Sequence, residues 1–181
     1  MRIIAGEARS RQIEAPRGRD TRPTLDRVRE NLFNILQNHV RGAQVLDLFS
    51  GSGALALEAI SRGAAHAVLC DHDREANRIE QKNAAALHFE DRMEILLCDW
   101  SQALARMGGR KFDLVFLDPP YAMHDLREVT ARLRPLMSPE GLLICEHQAE
   151  SPYLVDEAFT LTDRRRYGYA GISIYRQEEQ P

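Results

Sequence analysis

From residue 43 onward, short apolar runs alternate with stretches of helical period, and that rhythm leaves few architectures open. Apolar runs at 44–49, 66–70, 93–97, 112–117 and 141–146 are separated by helical patterns near 53–62, 73–87, 100–107 and 124–136. Strand–helix alternation implies parallel βαβ units with helices on both faces of one sheet. Gly63 stands where a helix C-cap glycine belongs. Residues 157–176 lose the helical period. There, Phe159 and Leu161, then Ile172, Ile174 and Tyr175, read as two strands around Tyr167-Gly168-Tyr169-Ala170-Gly171. Such a hairpin adds antiparallel strands at a sheet edge. The expected fold is α/β, a doubly wound, mostly parallel, seven-stranded sheet.

The first 41 residues are different. Ile3, Ile4 and Ile13 around a polar Gly6–Arg11 stretch suggest a short hairpin, and residues 17–23 a polar loop. Thr24 can cap a helix bearing Leu25, Val28, Leu32, Ile35 and Leu36 on one stripe, with Gly42 ending it. This segment holds nine arginines, no lysine and five acids, so it carries +4 while the remainder carries −7. A basic arm on an acidic body points to a polyanionic partner, and guanidinium forks suit phosphate. Arg27 and Arg29 lie two apart on the helix, so at most one of them points toward such a partner.

Several classes are excluded. No apolar run approaches the roughly 20 residues of a membrane span. Met1-Arg2-Ile3-Ile4-Ala5-Gly6 turns polar too quickly for a signal peptide, so a cytoplasmic location is expected. Cys70, Cys98 and Cys145 fit neither a disulfide framework nor a zinc pattern, and the six histidines show no ligand spacing, so no metal is expected.

Four motifs carry chemistry. In Val45-Leu46-Asp47-Leu48-Phe49-Ser50-Gly51-Ser52-Gly53-Ala54, an apolar strand meets a glycine turn and then a helix. Glycines admit a ligand close to the backbone, and the helix N-terminus offers free N–H groups. Asp71, at the tip of the second strand and 20 positions after Gly51, is placed to accept both ribose hydroxyls of an adenosine ligand. Asp73 competes with it, with helix capping as the plainer role. Asp99, after the third strand, points into the same crevice and is suited to an adenine amino group; Trp100 beside it flanks the ring or simply packs. Finally, Phe112-Asp113-Leu114-Val115-Phe116-Leu117 leads into Asp118-Pro119-Pro120-Tyr121. Two prolines after an acid make a stiff loop without N–H donors. It presents a carboxylate and carbonyls to an amino group, and Tyr121 a face for a planar base.

With these residues in place, the chain resembles class I S-adenosylmethionine-dependent methyltransferases of the amino-methylating type. More narrowly, it resembles the bacterial 16S ribosomal RNA guanine-N2 methyltransferase family RsmD, with a Rossmann-like fold. The stretches Met1–Gly6, Arg22-Pro23-Thr24 with Arg27–Glu30, Leu46–Gly53, Glu58–Ala64 and Asp118–Tyr121 carry the resemblance, with Asp71 where the family usually has Glu. The resemblance implies S-adenosyl-L-methionine as donor and a guanine in 16S ribosomal RNA of the small ribosomal subunit as acceptor. It implies an RNA-contacting extension over 1–41 and a methyltransferase domain over 42–181. It implies acceptor-site roles for Asp118, Pro119, Pro120 and Tyr121. Donor contacts would come from Asp47, Phe49, Ser50, Gly51, Gly53, Asp71, Asp99, Trp100, Arg22 and Thr24. Asp47 holds either the glycine turn or the donor's amino group through water. Arg2, Arg9, Arg11, Arg17, Arg19, Arg165 and Arg166 are the expected RNA contacts. Monomer is the default state. The loop chemistry alone also suits adenine N6 or cytosine N4, in DNA or another RNA. An NAD-dependent oxidoreductase would leave Asp118-Pro119-Pro120-Tyr121 unexplained.

Overall fold

A computed structural model describes residues 1–16, 23–120 and 122–178 of the 181-residue chain, with residues 23–25 described by backbone alone. In chain order the elements are α1 (Pro23–Ile35), α2 (Gln37–Val40), β1 (Gln44–Leu48), α3 (Ala54–Ser61), β2 (His66–Asp71), α4 (Arg74–Leu87), β3 (Met93–Leu97), α5 (Trp100–Arg106), β4 (Phe112–Leu117), α6 (Arg127–Leu133), β5 (Met137–Gln148), β6 (Phe159–Tyr167) and β7 (Ala170–Gln177). One seven-stranded sheet has the order β3-β2-β1-β4-β5-β7-β6. The first five strands are mutually parallel, and β7 runs antiparallel to both β5 and β6. The doubly wound expectation holds, and the tail hairpin supplies the two antiparallel strands.

The period-2 alternation of each strand splits the core into two layers. Val45, Leu69, Leu114, Phe116 and Ile144 face a layer built by α1 to α4. Leu46, Val68, Val115, Leu117, Leu143 and Cys145 face a layer built by α5 and α6. Strands buried on both faces read as continuous apolar runs, which is why the sequence marked them.

Differences from the sequence reading are local. α1 begins at Pro23, so Thr24 lies inside the helix rather than capping it. Proline suits this first position because its missing N–H is one the helix would leave unpaired. The helix breaks at Leu36, and α2 is a separate turn before Gly42. α6 starts at Arg127, later than expected, because Leu126 N donates to the Leu154 carbonyl at 2.8 Å. Pro135 turns its end into a short 3-10 helix. The N-terminal hairpin is an antiparallel turn with one rung, Arg2 opposite Gln12.

That turn is docked on α3. The Glu58 carboxylate is fully buried and accepts from Ile4 N (2.9 Å), Ala5 N (3.1 Å) and Arg62 Nε (2.7 Å). Ser61 Oγ donates to the Ala5 carbonyl (2.6 Å) and accepts from Ala8 N (3.0 Å). Gly6 has φ +85°, and a Cβ there would lie 1.8 Å from the Ser61 carbonyl oxygen. Two stretches distant in sequence, Met1–Gly6 and Glu58–Ala64, are therefore the two halves of one contact. Ile3, Ala8 and Ile13 are buried in the same layer as β1 and β4.

Gly6→Ala should cost more than about 2 kcal/mol, combining a backbone collision with a left-handed φ. A melting temperature lower by about 5 °C or more is expected. Gly108→Ala, where a Cβ meets nothing within 4 Å, serves as the control. Equal melting temperatures for the two variants would contradict the docking.

Candidate active site

At the carboxyl ends of the parallel strands the sheet changes winding direction between β1 and β4. The loop after β1 and the loop after β4 meet there, which is the usual ligand crevice of such sheets. A cavity of about 640 Å³ opens at this point. Asp47, Phe49, Ser50, Ser52, Ala54 and Leu55 line one side, and Asp118, Pro119 and Pro120 another. Met1, Ala15, Pro16, Val28, Arg29 and Leu32 reach it from the N-terminal segment, Glu146 from β5 and Tyr169 from the β6–β7 turn.

The turn after β1 is tightly coiled. Phe49, Gly51 and Gly53 all have left-handed backbones, at φ 67°, 59° and 74°. A left-handed phenylalanine is strained and persists where surrounding bonds hold it. Here Phe49 N and Ser50 N both donate to the Cys70 carbonyl, at 2.9 and 3.1 Å. At Gly53 a Cβ would press to 2.8 Å from Leu69 Cδ2. Gly51 N donates to Asp71 Oδ2 at 2.9 Å, so the turn and the β2 tip are tied together. Asp71 Oδ1 accepts from Asp73 N at 2.9 Å. Asp73 itself caps α4 by accepting from Glu75 N at 2.8 Å, the plainer of its two expected roles.

Asp99 is exposed and caps α5, accepting from Gln102 N at 3.0 Å. Trp100 packs beneath the Arg132 guanidinium, 5.2 Å from its ring centre. Both stand at the end of β3, beside Asp71, while the cavity wall begins at β1. Arg22 and Tyr121 lie outside the described residues, as do Arg17 and Arg19; Thr24 is placed by its backbone in α1.

Asp47 is buried, with one oxygen unpaired among the described residues. The Ala56 backbone, in the first turn of α3, favours its charged form. Burial, then the nearby Glu80, Asp118 and Asp71, push its pKa well above the usual carboxylate range. Glu80 on α4 is fully buried, accepts from Ser50 Oγ and keeps Oε2 unpaired among the described residues. Burial raises its pKa to about 8, against the lowering effect of Ser50. Asn83, also on α4, donates to the Ser52 carbonyl (3.1 Å) and the Glu14 carbonyl (3.0 Å) and accepts from Glu14 N (2.8 Å). It therefore fastens the N-terminal segment across the glycine turn. Asn83, Glu80, Glu146 and Tyr169 were not marked by the sequence. Only their position in the fold, not any motif, singles them out.

Of the expected RNA arginines, the described ones, Arg2, Arg9, Arg11, Arg165 and Arg166, are exposed. Arg2 and Arg9, with Arg27, line a pocket of about 290 Å³ that also holds Asp26 and Glu30. Arg11 donates to the Ala86 carbonyl near the end of α4. Arg165 pairs with Asp163 and Arg166 with Glu150. Arg29 is buried between Asp26 and Glu58, so Arg27 is the outward member of that pair. Among the described residues no cluster could hold a metal ion, and no helix is long and apolar enough to cross a membrane.

The raised Glu80 pKa gives stability a sign in pH. Between about 4.5 and 8 the folded protein holds a proton that the unfolded chain has lost, so stability falls as pH rises through that window. Removing this group with Glu80→Gln should flatten the fall by on the order of 2–4 kcal/mol, or about 5 °C or more in melting temperature between pH 5 and 8.5. Parallel melting curves for wild type and variant would contradict it.

Comparison with known proteins places this architecture. A family described as conserved hypothetical protein 95 matches residues 1–176. Ribosomal RNA small subunit methyltransferase D of Escherichia coli is 36% identical over 99% of this chain and 91% of its own length. The Haemophilus influenzae protein of the same name is 29% identical, over 97% of this chain and 93% of its own. A solved Escherichia coli structure described as a methyltransferase superposes with TM-score 0.86 at 36% identity, covering 99% of each chain. With the strand order, the β1 turn and the β4 loop all in place, the chain belongs to this methyltransferase family.

Proposed function

We propose that this protein transfers a methyl group from S-adenosylmethionine to the exocyclic N2 of one guanine in small-subunit ribosomal RNA, acting on an assembled or assembling 30S particle. The observation that carries the reading is the Asp118-Pro119-Pro120 loop in the wall of the same cavity as the glycine turn. Its relatives named for ribosomal RNA small subunit methylation support the substrate class.

The residues present fit the donor. A sulfonium donor supplies an electrophilic methyl group. The left-handed turn at Phe49–Gly53 puts Phe49, Ser50 and Ser52 in the cavity wall, where a ligand would meet them. Asp71, behind the β1 turn rather than in the cavity wall, keeps lone pairs beyond its two backbone bonds for the hydroxyls of a ribose. The unpaired oxygen of Asp47 suits a cationic amino group or its bound water. A positive charge beside Asp47 and Glu80 would favour their ionised forms against the burial that raises both pKa values.

Asp118 and the Pro119 carbonyl address the acceptor. The lone pair of a guanine amino nitrogen is delocalised into the ring and points the wrong way. Two acceptors on its two N–H bonds turn that lone pair toward the methyl group. Tyr153 Oη donates to the Pro119 carbonyl at 3.3 Å, and Pro119 is buried, so the carbonyl is held in place with a second lone pair for substrate. In-line displacement forms the N–C bond as the S–C bond breaks, and positioning supplies much of the rate. The Asp118 carboxylate stabilises the charge that develops on nitrogen. The resulting ammonium is strongly acidic and loses its proton without a tuned base. Tyr121, by the family resemblance, stacks on the extruded guanine, a contact worth roughly 1–3 kcal/mol. The 1–41 segment, with Arg2, Arg9 and Arg11, and the hairpin arginines Arg165 and Arg166 meet the RNA backbone. The protein acts as a monomer in the cytoplasm.

Isotopically labelled donor and small subunits from cells lacking the gene test the reaction. Label should appear on one guanine as N2-methylguanine, and Asp118→Ala should lower the rate by about 10²–10³-fold. Label on DNA or on another RNA would contradict the ribosomal assignment. The basic surface has its own test. Each phosphate-binding arginine replaced by alanine, Arg2 or Arg9, should reduce the slope of log affinity against log salt by roughly 0.7. An unchanged slope would remove that arginine from the interface.

A further inference from the structure

Guanine offers two adjacent kinds of donor on the edge that holds N2: the amino hydrogens and the ring N1–H. The Asp118 carboxylate and the Pro119 carbonyl account for the amino hydrogens. Once the base leaves its stack and enters the cleft, N1–H has lost both its pairing partner and its water. A buried donor left unpaired is costly, so a guanine site needs a further acceptor beside Asp118.

The sheet provides one. β4 and β5 are parallel neighbours with Leu117 opposite Cys145 on their last shared rung; Asp118 is the residue that follows on the β4 side, and Glu146 the one that follows on β5. Adjacent strands lie about 4.8 Å apart, so side chains leaving neighbouring strands on one face can converge on one base edge. Leu117 and Cys145 both face the α5–α6 layer. By alternation Glu146 faces the other side, where the cavity opens, and both Asp118 and Glu146 line that cavity. Glu146 is half-buried, and its backbone is held in the ladder opposite Ile172 of β7. A residue on a paired strand is more firmly placed than one on a loop.

We propose that Glu146 is the specificity-determining residue that reads guanine, its carboxylate accepting N1–H while Asp118 and the Pro119 carbonyl hold the N2 amino group. This rests on the guanine-N2 reading above. Adenine presents a lone pair at N1, and a carboxylate facing it is repelled. The same holds for 2,6-diaminopurine, which keeps the reactive 2-amino group but carries a lone pair at N1. Selection thus combines an attractive contact to the right base with a repulsive one to the wrong base.

The test uses small-subunit RNA carrying either guanine or 2,6-diaminopurine at the nucleotide that the wild-type enzyme labels. Wild type should prefer guanine by about 100-fold or more in kcat/KM, since leaving a site's polar group unpaired discriminates strongly. Glu146→Gln can donate an amide N–H to the N1 lone pair. It should lose roughly 10–100-fold on guanine, and the preference should collapse to about 5-fold or less. Glu146→Ala should lose guanine activity without gaining diaminopurine activity. Melting temperature and S-adenosylhomocysteine affinity close to wild type in both variants identify a change in base reading rather than in folding. A folded Glu146→Gln enzyme that keeps the wild-type preference would overturn the proposal. Wild-type label on a group other than guanine N2 would overturn the underlying function, and that result appears before any variant is made.

Discussion

The crossovers around β1 and β4 leave the sheet in opposite directions, with α3 and α4 on one face and α5 and α6 on the other. No backbone closes the gap above two parallel strands whose connections diverge. A crevice is therefore a geometric necessity at that point, and the chain places its polar residues around it. From β3 to β5 the strand ends carry Asp99, Asp71, the Phe49–Gly53 turn, Asp118 and Glu146 in spatial order. The β1 turn and the β4 loop are separated by one strand spacing because the sheet order puts β1 beside β4, although 71 positions separate Asp47 from Asp118 in the sequence.

The crevice is rich in carboxyl groups. Asp47, Asp118 and Glu146 line it, and the fully buried Glu80 stands behind the turn. Such a lining favours a cationic donor and the N–H edge of a base, and disfavours phosphate. The proposed phosphate contacts lie elsewhere, on the outward arginines of the N-terminal segment and the β6–β7 hairpin. The −3 net charge of the chain conceals this division. The N-terminal segment is also structural. Glu58, Ser61 and Asn83 hold it against α3 and the glycine turn, so Ala15 and Pro16 form part of the cavity wall.

The strand and helix order was legible because doubly buried strands leave uninterrupted apolar runs. The glycine turn and the Asp118 loop were legible because each packs its chemistry into a few consecutive residues. Element ends were less so, because Leu126 and Leu36 are set by bonds to residues outside their own windows or by breaks that no single residue announces. Asp99 and Asp73 both stood at strand ends, and capping explains the geometry of each. Glu80, Asn83, Glu146 and Tyr169 were invisible for a common reason. Each belongs to an ordinary-looking helix, strand or turn, and only the tertiary fold carries it to the cavity.

The proposed reaction depends on one arrangement: donor at the β1 turn and acceptor at the β4 loop, side by side in the single cavity that both loops line. A crystal structure with S-adenosylhomocysteine and guanosine bound together tests it most directly. The account predicts the ribose against Asp71, and the guanine N2 within hydrogen-bond distance of the Asp118 carboxylate and the Pro119 carbonyl, facing the sulfur. Guanosine ordered elsewhere, or its N2 turned away from the sulfur while Asp118 binds another group, would contradict it.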